Sequence, residues 1–170
     1  ERMHRTLNTV VDFLARYTAL AGGLVLIAVV LMACVSIAGR AMIGVGLGPV
    51  PGDFELVEIG VGFAVFCFLP WCQFKGGHAR VDLLKPVFGD AFNRFIDFVA
   101  NLLMLIVAFL IAWRLWLGML DKKSYLETTF ILQFPVWIAY AAGLVGAVVF
   151  VVVSAYCLLR TLYDPTERQP

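Results

Sequence analysis

Charge is scarce in this sequence: 25 of its 170 residues are Lys, Arg, Asp or Glu, a share of 15%. Soluble domains carry about 25%. The 13 basic and 12 acidic residues nearly cancel, to a net +1. A balance so close to neutral leaves no basic surface for nucleic acid, so no nucleic-acid partner is expected. Histidine is rarer still. His4 and His78 lie outside every apolar run, whereas a haem-carrying membrane subunit needs histidines facing each other within its helices. The four cysteines, Cys34, Cys67, Cys72 and Cys157, form no C-x-x-C pair and sit in apolar stretches as small hydrophobes. Ser36, Ser124 and Ser154 have no neighbouring base, and no glycine-rich phosphate loop is present. Neither an enzyme nor a bound cofactor is expected.

Apolar residues fill the space that charge leaves, at 62% of the chain. A soluble domain of this size has too little interior to hide that much apolar surface. The bilayer removes the difficulty. Four stretches approach the ~20 residues that a helix needs to cross the hydrocarbon core. They run over residues 17–39, 54–74, 91–120 and 135–159. The first is too long for the apolar region of a secretory signal, so it reads as an uncleaved helix. The expected fold is therefore an all-α integral membrane protein, one membrane domain of four transmembrane helices.

The stops and starts fit those limits. Gly44, Gly46, Gly48, Pro49, Pro51 and Gly52 make a connector that cannot continue a helix. Asp53 stands where an N-cap belongs, with Glu55 in the first turn. Pro135 suits the opening of the fourth helix, with Trp137 as an interfacial anchor. Residues 82–89 mix Leu83, Leu84, Val87 and Phe88 with Asp82 and Lys85. That pattern predicts a short amphipathic segment on the membrane interface, broken near Gly89. Asp90 then starts the third helix, and Asp90, Arg94, Asp97 and Asn101 form one polar stripe along it. If the N-terminus is cytoplasmic, nine basic residues fall on the inner side and Arg40, Arg114, Lys122 and Lys123 on the outer. The bias predicts both termini in the cytoplasm.

A charge inside a span costs about 2.5–3.5 kcal/mol at mid-helix on the insertion scale, so each one asks for a partner. Arg40 closes the first helix at the level where Glu55 and Glu58 open the second, which predicts a structural ion pair between Arg40 and one of the two. His78, Arg80 and Asp82 gather just past the second helix, as a hydrogen-bonded corner or a docking site. Gly60 and Ala64 on the second helix, and Ala139, Gly143 and Ala147 on the fourth, form small-residue faces. These let helices approach closely, within the chain or against another subunit.

Taken together, these residues resemble the small membrane subunit of tripartite ATP-independent periplasmic (TRAP) transporters. The likeness rests on Gly39-Arg40, on Pro51-Gly52-Asp53-Phe54-Glu55-Leu56-Val57-Glu58, on His78-Ala79-Arg80-Val81-Asp82 and on Phe134-Pro135-Val136-Trp137. Cys67-Phe68-Leu69-Pro70 departs from the small, glycine-containing stretch of that family. The resemblance implies a non-catalytic subunit in the bacterial inner membrane. Its partners would be membrane lipid, a large multi-helix membrane subunit of the elevator type and a periplasmic substrate-binding protein. The whole would take up an organic acid with sodium. Three other readings stay open: the small membrane subunit of a tripartite tricarboxylate transporter; the membrane anchor of an oxidoreductase, against which the placement of the histidines argues; and an independent small channel or exporter built as an oligomer.

Overall fold

A computed structural model describes residues 2–77 and 90–163. It contains four long helices: α1 (Arg2–Ala41), α2 (Asp53–Phe74), α3 (Asp90–Ser124) and α4 (Val136–Tyr163). All four are long and apolar enough to cross a membrane. The protein is an all-helical, multi-pass membrane protein.

Three of the helices run past the apolar stretches of the sequence. α1 starts at Arg2, well ahead of residue 17, and its 40 residues extend about 60 Å. No proline interrupts residues 2–41, and the paired Gly22-Gly23 is tolerated in mid-helix because α1 is anchored on both sides of it. α2 is the shortest, with 22 residues, about 33 Å and close to the hydrocarbon thickness. α3 continues to Ser124 and α4 to Tyr163. α3 is described from Asp90 onward. The amphipathic segment expected over residues 82–89 lies outside the described residues.

Successive helices alternate in direction, so α2 and α4 run parallel. The connectors 42–52 and 125–135 share one end of the protein, here the connector end. Residues 2–10, 75–77 and 160–163 share the other, the terminal end. α2 packs between α1 and α4, and α3 lies along α4. α3 stands off from α2, and this leaves a cleft between them. About a tenth of the α1 and α3 spans is buried within the chain, against more than a quarter of α4. α4 is the centre of the fold.

Small residues decide how closely the helices meet. A side chain on Gly60 would strike Val29, and one on Gly22 would come within 2.7 Å of Cys67 Cβ. Ser36 bonds Asp53, and Ala15 shares a buried cluster with Phe74. These four meetings fall seven residues apart on each helix. A seven-residue repeat keeps one face of each helix on the other when the pair winds left-handed.

The α2–α4 contact has a different basis. Pro70 lies inside α2 and is fully buried. It has no N–H, so the Phe66 carbonyl four residues earlier is left without its intrahelical partner. Gly146 of α4 seats against that carbonyl: a Cβ there would lie 2.7 Å from Phe66 O. Gly143 faces the Phe66 ring, and Ala147 is fully buried beside them. Gly146→Val is therefore expected to destabilise the protein by about 1–3 kcal/mol through overpacking. Gly23→Ala, which adds a methyl where nothing lies within 4 Å and favours the helix, should not lower the thermal midpoint in mild detergent. Equal midpoints for the two variants would contradict this account of the α2–α4 contact.

Candidate functional site

Polar side chains at the two ends of the spans tie the helices together. At the connector end the tie begins with a backbone fold. Gly46 and Gly52 take left-handed conformations, at φ 89° and 72°. Gly39 leaves room for the Gly48 carbonyl to lie against α1. The connector thereby folds back over the end of α1 and delivers Asp53 to it. Gly52 takes the N-cap position of α2, and Asp53 is the first helical residue.

Asp53 Oδ2 accepts bonds from Ser36 Oγ at 2.6 Å and from Arg40 Nη2 at 2.9 Å. Its Oδ1 accepts the Phe54 N–H at 2.9 Å. Ser36 is buried and also accepts the Val50 N–H at 3.3 Å. Arg40 completes the cluster over the Phe54 ring, 6.0 Å from its centroid.

The structure thus pairs Arg40 with Asp53 rather than with Glu55 or Glu58, because the connector delivers the first helical residue, two and five residues ahead of the glutamates, to the end of α1. Glu55 points the other way. Its two carboxylate oxygens accept the Ile131 and Leu132 N–H groups, at 2.7 and 3.0 Å, and so hold the loop between α3 and α4. Leu132 in turn covers Gly52. That loop is braced internally by the Lys122–Glu127 ion pair at 2.6 Å and by a bridge between Thr128 and Pro135. Pro135 precedes the first helical residue of α4, and its carbonyl accepts the Ile138 N–H. Trp137 lies beneath the Lys123 ammonium, 5.5 Å away.

Glu58 is exposed and lines the cleft between α2 and α3, a space of about 530 Å³. Lys122, Glu127 and Tyr140 edge the same space, and Phe63, Phe66, Ala139 and Gly143 line it more deeply. Gly60 and Ala64 face α1 rather than this cleft.

A second tie holds the terminal end, and sequence reasoning missed most of it. Gln73 Nε2 donates to Asn101 Oδ1 at 3.3 Å, and Asn101 Nδ2 donates to Thr161 Oγ1 at 2.9 Å. Thr161 Oγ1 donates onward to the Cys157 carbonyl at 3.0 Å. Asn101, placed by its spacing on a polar stripe, is buried and joins α2, α3 and α4. The available signal was one amide or hydroxyl near the terminal end of each of three apolar spans. Beside it Trp71, Phe74 and Tyr156 stack, with Lys75 over the first two rings. His78, Arg80 and Asp82 lie outside the described residues.

Among the described residues no group of three His, Cys, Asp or Glu stands close enough to hold a metal ion. The chemistry of both ends is hydrogen bonding between helices. The fold and these ties define a multi-pass helical membrane protein whose polar residues hold its own elements in place.

The family described as "Tripartite ATP-independent periplasmic transporters, DctQ component" matches residues 29–163. The chain belongs to that family: it is the small permease subunit of a TRAP transporter. No curated protein and no solved structure matches it. The matched stretch takes in Ser36, Arg40 and Asp53 at one end and Gln73, Asn101 and Thr161 at the other.

Asp53→Ala should lower the thermal midpoint more than Arg40→Ala does, because Asp53 also holds buried Ser36 while half of the Arg40 side chain faces outward. Asn101→Ala should cost about 1 kcal/mol, in the range of hydrogen bonds between membrane helices. Thermal denaturation in detergent reads all three. An Arg40→Ala effect larger than that of Asp53→Ala would place the weight of the tie elsewhere.

Proposed function

We propose that this subunit is the fixed, non-catalytic brace of its transporter. It holds the large elevator-type membrane subunit steady while that partner carries an organic acid across the bacterial inner membrane with sodium. The cargo arrives on a periplasmic binding protein. The observation that carries this reading is that the helices are tied at both ends by side-chain hydrogen bonds: Ser36–Asp53 and Glu55 with the α3–α4 loop at one, Gln73–Asn101–Thr161 at the other. A carrier domain that moves across a bilayer needs a partner that does not deform. Ties at both ends, with apolar packing between them, suit a strut.

The outward faces support the same role. Leu20, Leu24, Ile27, Leu31 and Val35 leave one side of α1 exposed over much of the span, available to lipid and to a neighbouring subunit. The excess of basic residues at the terminal end favours both termini in the cytoplasm. The connector end then faces the periplasm, with Phe130 and Ile131 at its tip.

The test is co-expression of the tagged chain with the large subunit and purification in gentle detergent. We expect the large subunit to be recovered in a fixed ratio. Uptake of the organic acid by the three reconstituted components should fall to background when this chain alone is omitted. A chain that purifies alone, or uptake that persists without it, would end the proposal.

A further inference from the structure

Arg114 lies farther inward than the charges at the connector end. Arg40, Asp53, Glu55, Lys122 and Lys123 lie where headgroups or one another can satisfy them, and Glu58, five residues inward of Asp53, lines the α2–α3 cleft without an ion pair to Arg114. Arg114 lies seven residues inward of Asp121 along α3, about 10 Å at the helical rise. The hydrocarbon half-thickness is only ~15 Å. It sits one turn inward of Gly118, which packs on Tyr140. Its side chain is exposed, and it has no hydrogen-bond or ion-pair partner among the described residues.

Snorkelling toward the nearer surface runs against the lean of the side chain. Side chains on a helix lean toward its N-terminus, and the N-terminus of α3 is at the terminal end. Arg114 therefore leans away from the nearer surface, at the connector end. Beside it lies an apolar recess of about 440 Å³ lined by Val107, Leu110, Ile111, Leu115 and Tyr140. A guanidinium projecting from an apolar surface at that depth calls for an anionic group brought by another molecule.

We infer that Arg114 and this recess are a contact site for a membrane helix of the large subunit, one that carries a carboxylate at the same depth. The apolar part of that helix fills the recess, and its carboxylate pairs with the guanidinium. The inference rests on the bracing role proposed above and deepens it by naming the residue on which the two subunits meet within the hydrocarbon layer. Charge complementarity selects this occupant. A lipid acyl chain could fill the recess but brings no anion to that depth.

The test compares the wild-type chain with Arg114→Leu and Arg114→Lys, each co-expressed with the large subunit. Arg114→Leu removes a charge from lipid, so the chain alone should be at least as stable as wild type. Its recovery of the large subunit should nevertheless fall by at least about tenfold, the scale of breaking one partner of a desolvated charge pair. Arg114→Lys, which keeps the charge, should retain more of it. A photo-cross-linker at Leu110 should join the chain to the large subunit. If the wild type retains the large subunit and Arg114→Leu retains it equally, this contact is overturned while the brace stands. If the wild type retains none, both fall. Cross-linking at Leu110 to lipid alone, or to a second copy of this chain, also overturns it.

Discussion

Ser36, Arg40 and Asp53 meet at the end of α1, and the position of every other contact between α1 and α2 depends on that meeting. Two apolar helices in a bilayer have no hydrophobic reason to prefer one register over another, since lipid tails are as apolar as leucine. A polar tie at one end removes the freedom to slide. With Ser36 opposite Asp53, Val29 comes to Gly60 and Gly22 to Cys67, and Ala15 reaches the cluster around Phe74. A shift by one turn would put Val29 against Ala64 and leave Asp53 without Ser36. One buried hydroxyl and one carboxylate thus set the alignment, and the small residues let the helices close on it.

The same economy holds around α4. Its glycines meet α2 where Pro70 has freed a carbonyl, so the defect in one helix becomes the docking point of the other. At the terminal end a chain of amide and hydroxyl bonds passes from Gln73 through Asn101 to Thr161. In lipid such groups have no water to turn to, and these three find their partners in one another. The result is an asymmetric arrangement, in which α4 is shared by α2 and α3 while α1 and α3 keep broad outward faces. In a family whose members are components of a larger transporter, those faces are where the rest of the assembly has room to attach.

The four membrane helices were legible in the sequence, because bilayer thickness sets the length of an apolar run. The length of α1 was not. Its first turns carry Arg2, Arg5, Asp12 and Arg16, and charge marks where a helix leaves lipid, not where it ends. Nor was Asn101 legible as a buried tie: its spacing with Asp97 matches a water-facing stripe, and only the arrival of Gln73 and Thr161 from two other helices turns it inward.

Apolar run length against hydrocarbon thickness settles the number of crossings and the membrane class, and the order of motifs such as Gly39-Arg40 and Pro51-Gly52-Asp53 settles the family. The partners of the charges were left to the tertiary structure. Arg40, Glu55 and Glu58 share one level of the membrane, and helical spacing alone makes either glutamate a plausible match. The left-handed glycines of the connector turn Asp53 onto Arg40 instead, and the α3–α4 loop, 76 residues further along the chain, offers Glu55 its backbone N–H groups. Ion pairing depends on where loops return to, and loop conformation depends on packing between helices distant in the sequence.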